Sequence, residues 1–250
     1  MMVAYNYEEE LIMHILMCKL IKDGWLFDNR DIAESLCEGT YNILKEPYCH
    51  VCAMPSIETD KCSFHRDLYG FSRIYVMGVY YPRRLKTVDL LSNHILELKK
   101  DKRYAKPLGV ALSIIIKRKY PEVCNADLLT AVPMSTEEYA KRGFNQALEL
   151  ANVIGRELNI KVEHVLYKTS NIKMKYKKYE ERKRLVRGLY QILHKVHRYY
   201  LYGKHILLVD DIVTSGFTVS ECSKVLKDAG AKRVDVIALA RTALGGYKYA

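Results

Sequence analysis

The chain has 250 residues, 40 Lys and Arg against 29 Asp and Glu, a formal charge of +11 and a hydrophobic share of 49%. That is enough chain for one large or two small cores, with a basic balance that suits polyanion contact or a basic surface. Its seven cysteines fit metal binding or burial better than a disulfide framework, and no apolar run is long enough to span a membrane.

In chain order, residues 1–10 end in three acids, and the apolar run Leu11–Leu20 is broken by His14, Cys18 and Lys19. This is no secretory signal, so a cytoplasmic chain is expected. Leu11, Ile12, Ile15, Leu16, Leu20 and Ile21 form the apolar stripe of an amphipathic helix over 7–25, and a second helix is expected over 31–44. We take residues 1–46 as a helical N-terminal extension for packing or homodimer formation.

Cys49-x-x-Cys52 is followed nine residues later by Cys62-x-x-His65. Two such pairs bring four soft or borderline ligands to one tetrahedral centre, the spacing of a structural zinc site over 47–70. His50 and Cys37 are alternative ligands. A strand is expected over 72–81, helices over 87–100 and 105–119, and a buried strand over Asp127–Pro133. Lys99 lies at a helix end and Arg142 beside Gly143, where each could hold a diphosphate; the guanidinium fork has the better geometry for it. A helix then carries Ala147, Leu150, Ala151, Ile154 and Leu158 on one face.

From Lys161 to Lys204 there are 13 Lys and Arg against 3 acids, interleaved with tyrosines. Such a stretch is either a solvated helical face plus a strand or a surface on which single-stranded bases stack while lysines track the backbone.

The densest signal comes last. The apolar run Ile206–Val209 leads into Asp210 and Asp211, then Thr214-Ser215-Gly216-Phe217-Thr218, then a helix with Val219, Cys222, Val225, Leu226 and Ala229 on one face. Hydroxyls, backbone N–H groups and a helix start favour a phosphate, and the two acids suit sugar hydroxyls or a bridging cation. Thr218-Val-Ser-Glu221 has capping-box spacing. Gly230 marks the helix stop, and residues 233–240 read as the next strand, completing a βαβ unit.

This stretch resembles the phosphoribosyl-pyrophosphate (PRPP) loop of type I phosphoribosyltransferases. Val132-Pro133, Arg142-Gly143-Phe144-Asn145-Gln146-Ala147, the cysteine knuckle and Glu181-Arg182…Arg187-Gly188 resemble the ComF-type branch, which is often tied to DNA uptake in competent bacteria. His65 stands where that branch has a fourth cysteine. The resemblance implies an α/β type I phosphoribosyltransferase fold with a mostly parallel sheet over 71–250, preceded by the zinc knuckle and the helical extension. It implies that Asp210 and Asp211 grip the ribose hydroxyls, Thr214–Thr218 the 5′-phosphate, and Lys99 and Arg142 the pyrophosphate. Mg²⁺ would accompany PRPP, and a nucleobase or other nitrogen acceptor would receive the ribosyl group. Relatives that act on 6-oxopurines carry a basic aspartate where this chain has Thr214, which argues against hypoxanthine or guanine. The competing reading is a ComF-type nucleic-acid-binding protein with little turnover.

Overall fold

The computed structural model describes residues 49–54, 68–81, 90–170, 179–197 and 199–242. Cys62, His65 and the segments expected to form two N-terminal helices lie outside them.

The elements in chain order are β1 (Ile74–Tyr80), α1 (Leu90–Leu98), α2 (Ala105–Lys119), β2 (Leu128–Ala131), α3 (Thr136–Arg142), α4 (Gln146–Leu158), β3 (Leu166–Lys168), α5 (Tyr179–Leu185), β4 (Tyr190–Ile192), β5 (His205–Val213), α6 (Phe217–Asp228) and β6 (Arg233–Thr242). Four strands form one sheet in the order β1-β6-β5-β2, and all its pairings are parallel. β3 and β4 form a separate antiparallel ribbon. The expected α/β fold with a parallel sheet is therefore present.

Parallel sheets survive when both faces are covered, so their strands alternate between two apolar layers. In β5, Leu207 and Val209 pack into the layer of α1, α2 and α4, beside Leu98, Leu112 and Leu150. Ile206 and Leu208 pack into the opposite layer, with Val219, Cys222 and Leu226 of α6, Tyr190 of the ribbon, and Cys49 and Cys52. The strand period of two then sends Asp210 toward α6 and Asp211 toward α1.

Several expectations shift in detail. β5 continues through both acids to Val213, because Asp210, Ile212 and Val213 pair with Ala238, Ala240 and Arg241 of β6. The acids are thus strand residues, and the loop begins at Thr214, as the sequence suggested. The stretch before Gly143 is helix α3, with a capping box between Ser135 and Glu138 and the left-handed Gly143 (φ 81°) as its stop. The basic segment contributes two short strands as well as a helix.

Candidate functional site

The carboxyl end of β5, the loop 214–216 and the start of α6 form the centre of the site. α6 begins at Phe217 behind Gly216 (φ 85°), and no side chain caps it. The capping box expected between Thr218 and Glu221 is not made: Glu221 Oε1 accepts the Gly188 amide at 2.8 Å, and Oε2 accepts the Tyr69 hydroxyl at 2.9 Å. No side-chain cap occupies the start of α6, and a helix N-terminus favours an anion. Gly216 is required chiefly by its backbone angle, since the side chain a Cβ would meet is the flexible end of a leucine. Its φ is left-handed, and a Cβ there would stand 2.7 Å from Leu68 Cδ1. From beneath, the fully buried Arg241 donates from its guanidinium to the Thr214 carbonyl at 2.8 Å, fixing the loop and adding a cation under it.

Asp210 and Asp211 differ as their opposite faces demand. Asp211 is buried and forms an ion pair with Lys99, Nζ to Oδ2 3.1 Å. Burial alone would raise its carboxyl, but the charge and hydrogen bond of Lys99 hold it below the usual range. Asp210 makes no such ion pair among the described residues. Its Oδ1 accepts the Asp211 amide at 2.9 Å. Burial first and the Asp211 charge second push its carboxyl well above the usual carboxylate value. Lys99, assigned to the pyrophosphate from sequence, thus reaches the same centre through Asp211. Asp211 in turn raises the Lys99 ammonium above its ordinary value, against burial.

Arg142 is the last residue of α3, and its guanidinium donates to the Gln146 side chain across the Gly143 turn. Asn145 caps α4, accepting the Ala147 amide at 3.0 Å, and donates to the Val132 carbonyl at 3.0 Å. Phe144 is buried beneath. The Arg-Gly-Phe-Asn-Gln run therefore ends one helix, plugs the core, starts the next helix and ties the turn to the carboxyl end of β2. That places Arg142 on the turn that follows β2, the strand beside β5.

Cys49 and Cys52 are buried at the ends of a tight turn, in which the Cys49 amide bonds to Met54 O and the Ala53 amide to Cys49 O, both at 2.9 Å. The Ile74 amide reaches Val51 O at 2.8 Å, docking this turn on β1. Two thiols on one tight turn fit half of a tetrahedral metal set.

Residues 140–248 match the phosphoribosyl transferase domain family. Over 228 residues the chain is 25% identical to "Competence protein ComFC" of Streptococcus pneumoniae, covering 82% of this chain and 86% of that protein. It is 29% identical over 133 residues to "DNA utilization protein YhgH" of Escherichia coli, covering 52% of this chain and 56% of that protein. The chain is thus similar to ComFC and YhgH proteins, and its carboxyl-terminal part matches the phosphoribosyl transferase domain, in keeping with the α/β fold above. Among solved structures, an allosteric regulatory enzyme of purine biosynthesis overlaps 54% of the chain and 26% of its own, at 20% identity and a TM-score of 0.37.

In this ComFC-like chain the sequence reading missed four groups around the cradle. Arg241 was hidden as the end of an apolar strand, although an arginine after Val234–Ala240 is itself a signal. Glu221 was assigned to a cap. Tyr190 and Lys168 sit in the basic segment, where their cross-strand pairing is invisible without the ribbon.

Proposed function

We propose that the domain binds PRPP and transfers its 5-phosphoribosyl group to a nitrogen acceptor. The observation that carries this is the uncapped N-terminus of α6 behind Gly216, placed directly after two carboxylates at the end of a central parallel strand. In open α/β sheets the carboxyl edge is where ligands bind.

In this reading the backbone and hydroxyls of Thr214, Ser215, Gly216, Phe217 and Thr218 hold the 5′-phosphate, and Asp210 and Asp211 orient the ribose. Two carboxylates supply hard oxygen donors that fit Mg²⁺, which when bound would neutralise charge on the diphosphate. Lys99 and Arg142 flank the same edge and stabilise the leaving pyrophosphate. A leaving anion and an oxocarbenium-like centre are both served by charges fixed in advance. Cys49 and Cys52, with Cys62 and His65, are proposed to hold a structural Zn²⁺ beside β1.

The decisive experiment is calorimetry of the full chain with PRPP and Mg²⁺, followed by pyrophosphate release across a panel of nucleobases. Binding lost in Asp210→Ala and Asp211→Ala is expected. A wild-type chain that neither binds PRPP nor releases pyrophosphate would overturn the reading.

A second reading has its own observation. Tyr199 and Tyr202 are 66% and 75% exposed, and Lys204 lies 5.2 Å from the Tyr200 ring. Exposed rings among cations suit stacking of single-stranded bases, and the relative named for DNA utilization agrees with it. DNA affinity that falls steeply with salt and is lost in Tyr199→Ala/Tyr202→Ala would support this activity. A double variant binding as well as wild type would remove it.

A further inference from the structure

The cradle has a cation that neither motif nor family match assigns. Lys168 ends β3, and its side chain is only 9% exposed. It is the cross-strand partner of Tyr190, so both side chains leave the ribbon on one face. That face looks at the start of α6: Tyr190 is buried in the same apolar cluster as Phe217, Val219 and Cys222 of that helix. Cys222, one turn beyond Thr218 on α6, lies close enough to Lys168 to feel its charge. Lys168 therefore stands over the Thr218 side of the cradle.

Its counter-charge is poor. The Lys168 ammonium faces Glu138 Oε2 at 3.5 Å, and that carboxylate is 47% exposed. A directed charge-assisted N–H···O bond is about 2.7–2.9 Å long. Glu138 is also committed to its own helix, where Oε2 accepts the Ser135 hydroxyl at 3.1 Å. A nearly buried ammonium on a long, shared contact is held in reserve.

We infer that Lys168 is an exchangeable cation of the phosphate cradle, resting on Glu138 in the free protein and moving to a phosphomonoester bound at the N-terminus of α6. The inference rests on the phosphate reading of the preceding subsection and adds a third wall to it, above the loop. A phosphate offers nearly two charges and three acceptors, against one oxygen of Glu138. The exchange leaves Glu138 free to serve Ser135 alone. Because Glu138 belongs to the helix that ends at Arg142, the swap also links the phosphate end of the ligand to the turn proposed for its pyrophosphate.

The test uses ribose 5-phosphate, which lacks the pyrophosphate, titrated calorimetrically into the full chain. Lys168→Met is expected to weaken it by about tenfold, as for loss of one hydrogen bond to a charged group. Lys168→Arg should retain most of the affinity. Glu138→Gln should tighten binding, because the competing carboxylate is gone, and should have no effect on top of Lys168→Met. Should Lys168→Met prove poorly folded by thermal melting, the sign of the Glu138→Gln effect still decides the matter. Equal affinity in the wild type and the three single variants, or weaker binding by Glu138→Gln, overturns the role of Lys168 while leaving the cradle intact. A wild-type chain that does not bind ribose 5-phosphate overturns the cradle and Lys168 together.

Discussion

Asp210 and Asp211 are adjacent in β5, and the Asp211 amide donates to Asp210 Oδ1 at 2.9 Å, yet their carboxyls have opposite protonation preferences. The raised carboxyl of Asp210 favours the folded state while it is protonated. That contribution is fully present below the unfolded value of about 3.9 and is lost as pH rises through the folded value. At neutral pH Asp210 therefore weakens the free protein, in exchange for a ligand-binding charge. Asp210→Asn is expected to raise the melting temperature by roughly 2–4 °C, about 1 kcal/mol for a chain of this size. The gain should grow as pH rises above the unfolded carboxylate value, while PRPP binding is lost. A variant that melts lower than wild type at neutral pH contradicts the assignment.

Asp211 behaves in the opposite sense. Its lowered carboxyl contributes stability above the unfolded value, and this is lost as pH falls through the folded value. Lys99→Met removes the cation responsible and leaves a buried carboxylate without its ion-pair partner. We expect a loss of about 1–2 kcal/mol at pH 7, discounted from a fully buried pair because Lys99 is partly open to solvent. The deficit should shrink as pH falls, because without Lys99 burial raises the Asp211 carboxyl and protonation relieves the unpaired charge. Melting across pH 3.5–7 checks both.

Gly216→Ala meets two obstacles, the left-handed φ and Leu68 Cδ1 at 2.7 Å. A destabilisation of about 1–2 kcal/mol is expected, with ribose 5-phosphate affinity lost in parallel. Adding Leu68→Ala relieves only the contact, so urea titration should show partial recovery of stability. Full recovery would mean that φ does not matter here.

Asn145→Ala removes both the cap of α4 and the bond to Val132 O. Losing such a cap costs about 1 kcal/mol. Asn145→Asp keeps the accepting oxygen and loses the donor to Val132, so the difference between the two variants in thermal melting isolates the cap from the tie to β2. Equal melting points for both would assign the whole effect to the tie.

For the proposed zinc knuckle, metal analysis of the purified chain should find about one zinc per chain, and Cys49→Ser should release it. A folded chain free of metal removes that proposal.

Much of this was legible in the sequence because local chemistry and tertiary role coincide there. Ile206–Val209 reads as a buried strand, and it is buried on both faces. Ala105–Lys119 reads as a helix, and its bounds agree. Gly216 reads as a turn glycine, and its φ bears that out. What was hidden depends on partners far away in the chain. Glu221 looks like a cap from its spacing to Thr218, but Tyr69 and Gly188 occupy its oxygens. Lys99 reads as a cation for a diphosphate, but its ion pair with Asp211 shows only when α1 is laid against the end of β5. The helix before Gly143 was legible and missed: Ser135 and Glu138 have the spacing of the box they form.

The position of β1 has a bearing on how the chain is made. Its strand partner in the sheet is β6, with Ile74 opposite Val236 and Tyr80 opposite Thr242. A ribosome delivers β1 early, and that strand then waits unpaired until the last strand has emerged. Pairings so distant in sequence form slowly. Arg241, which grips the Thr214 carbonyl, arrives on the same final strand. Nascent chains released before residue 233 would carry an open apolar edge and a loop after β5 without its Arg241 anchor, so a truncated product would be a target for chaperones and proteases.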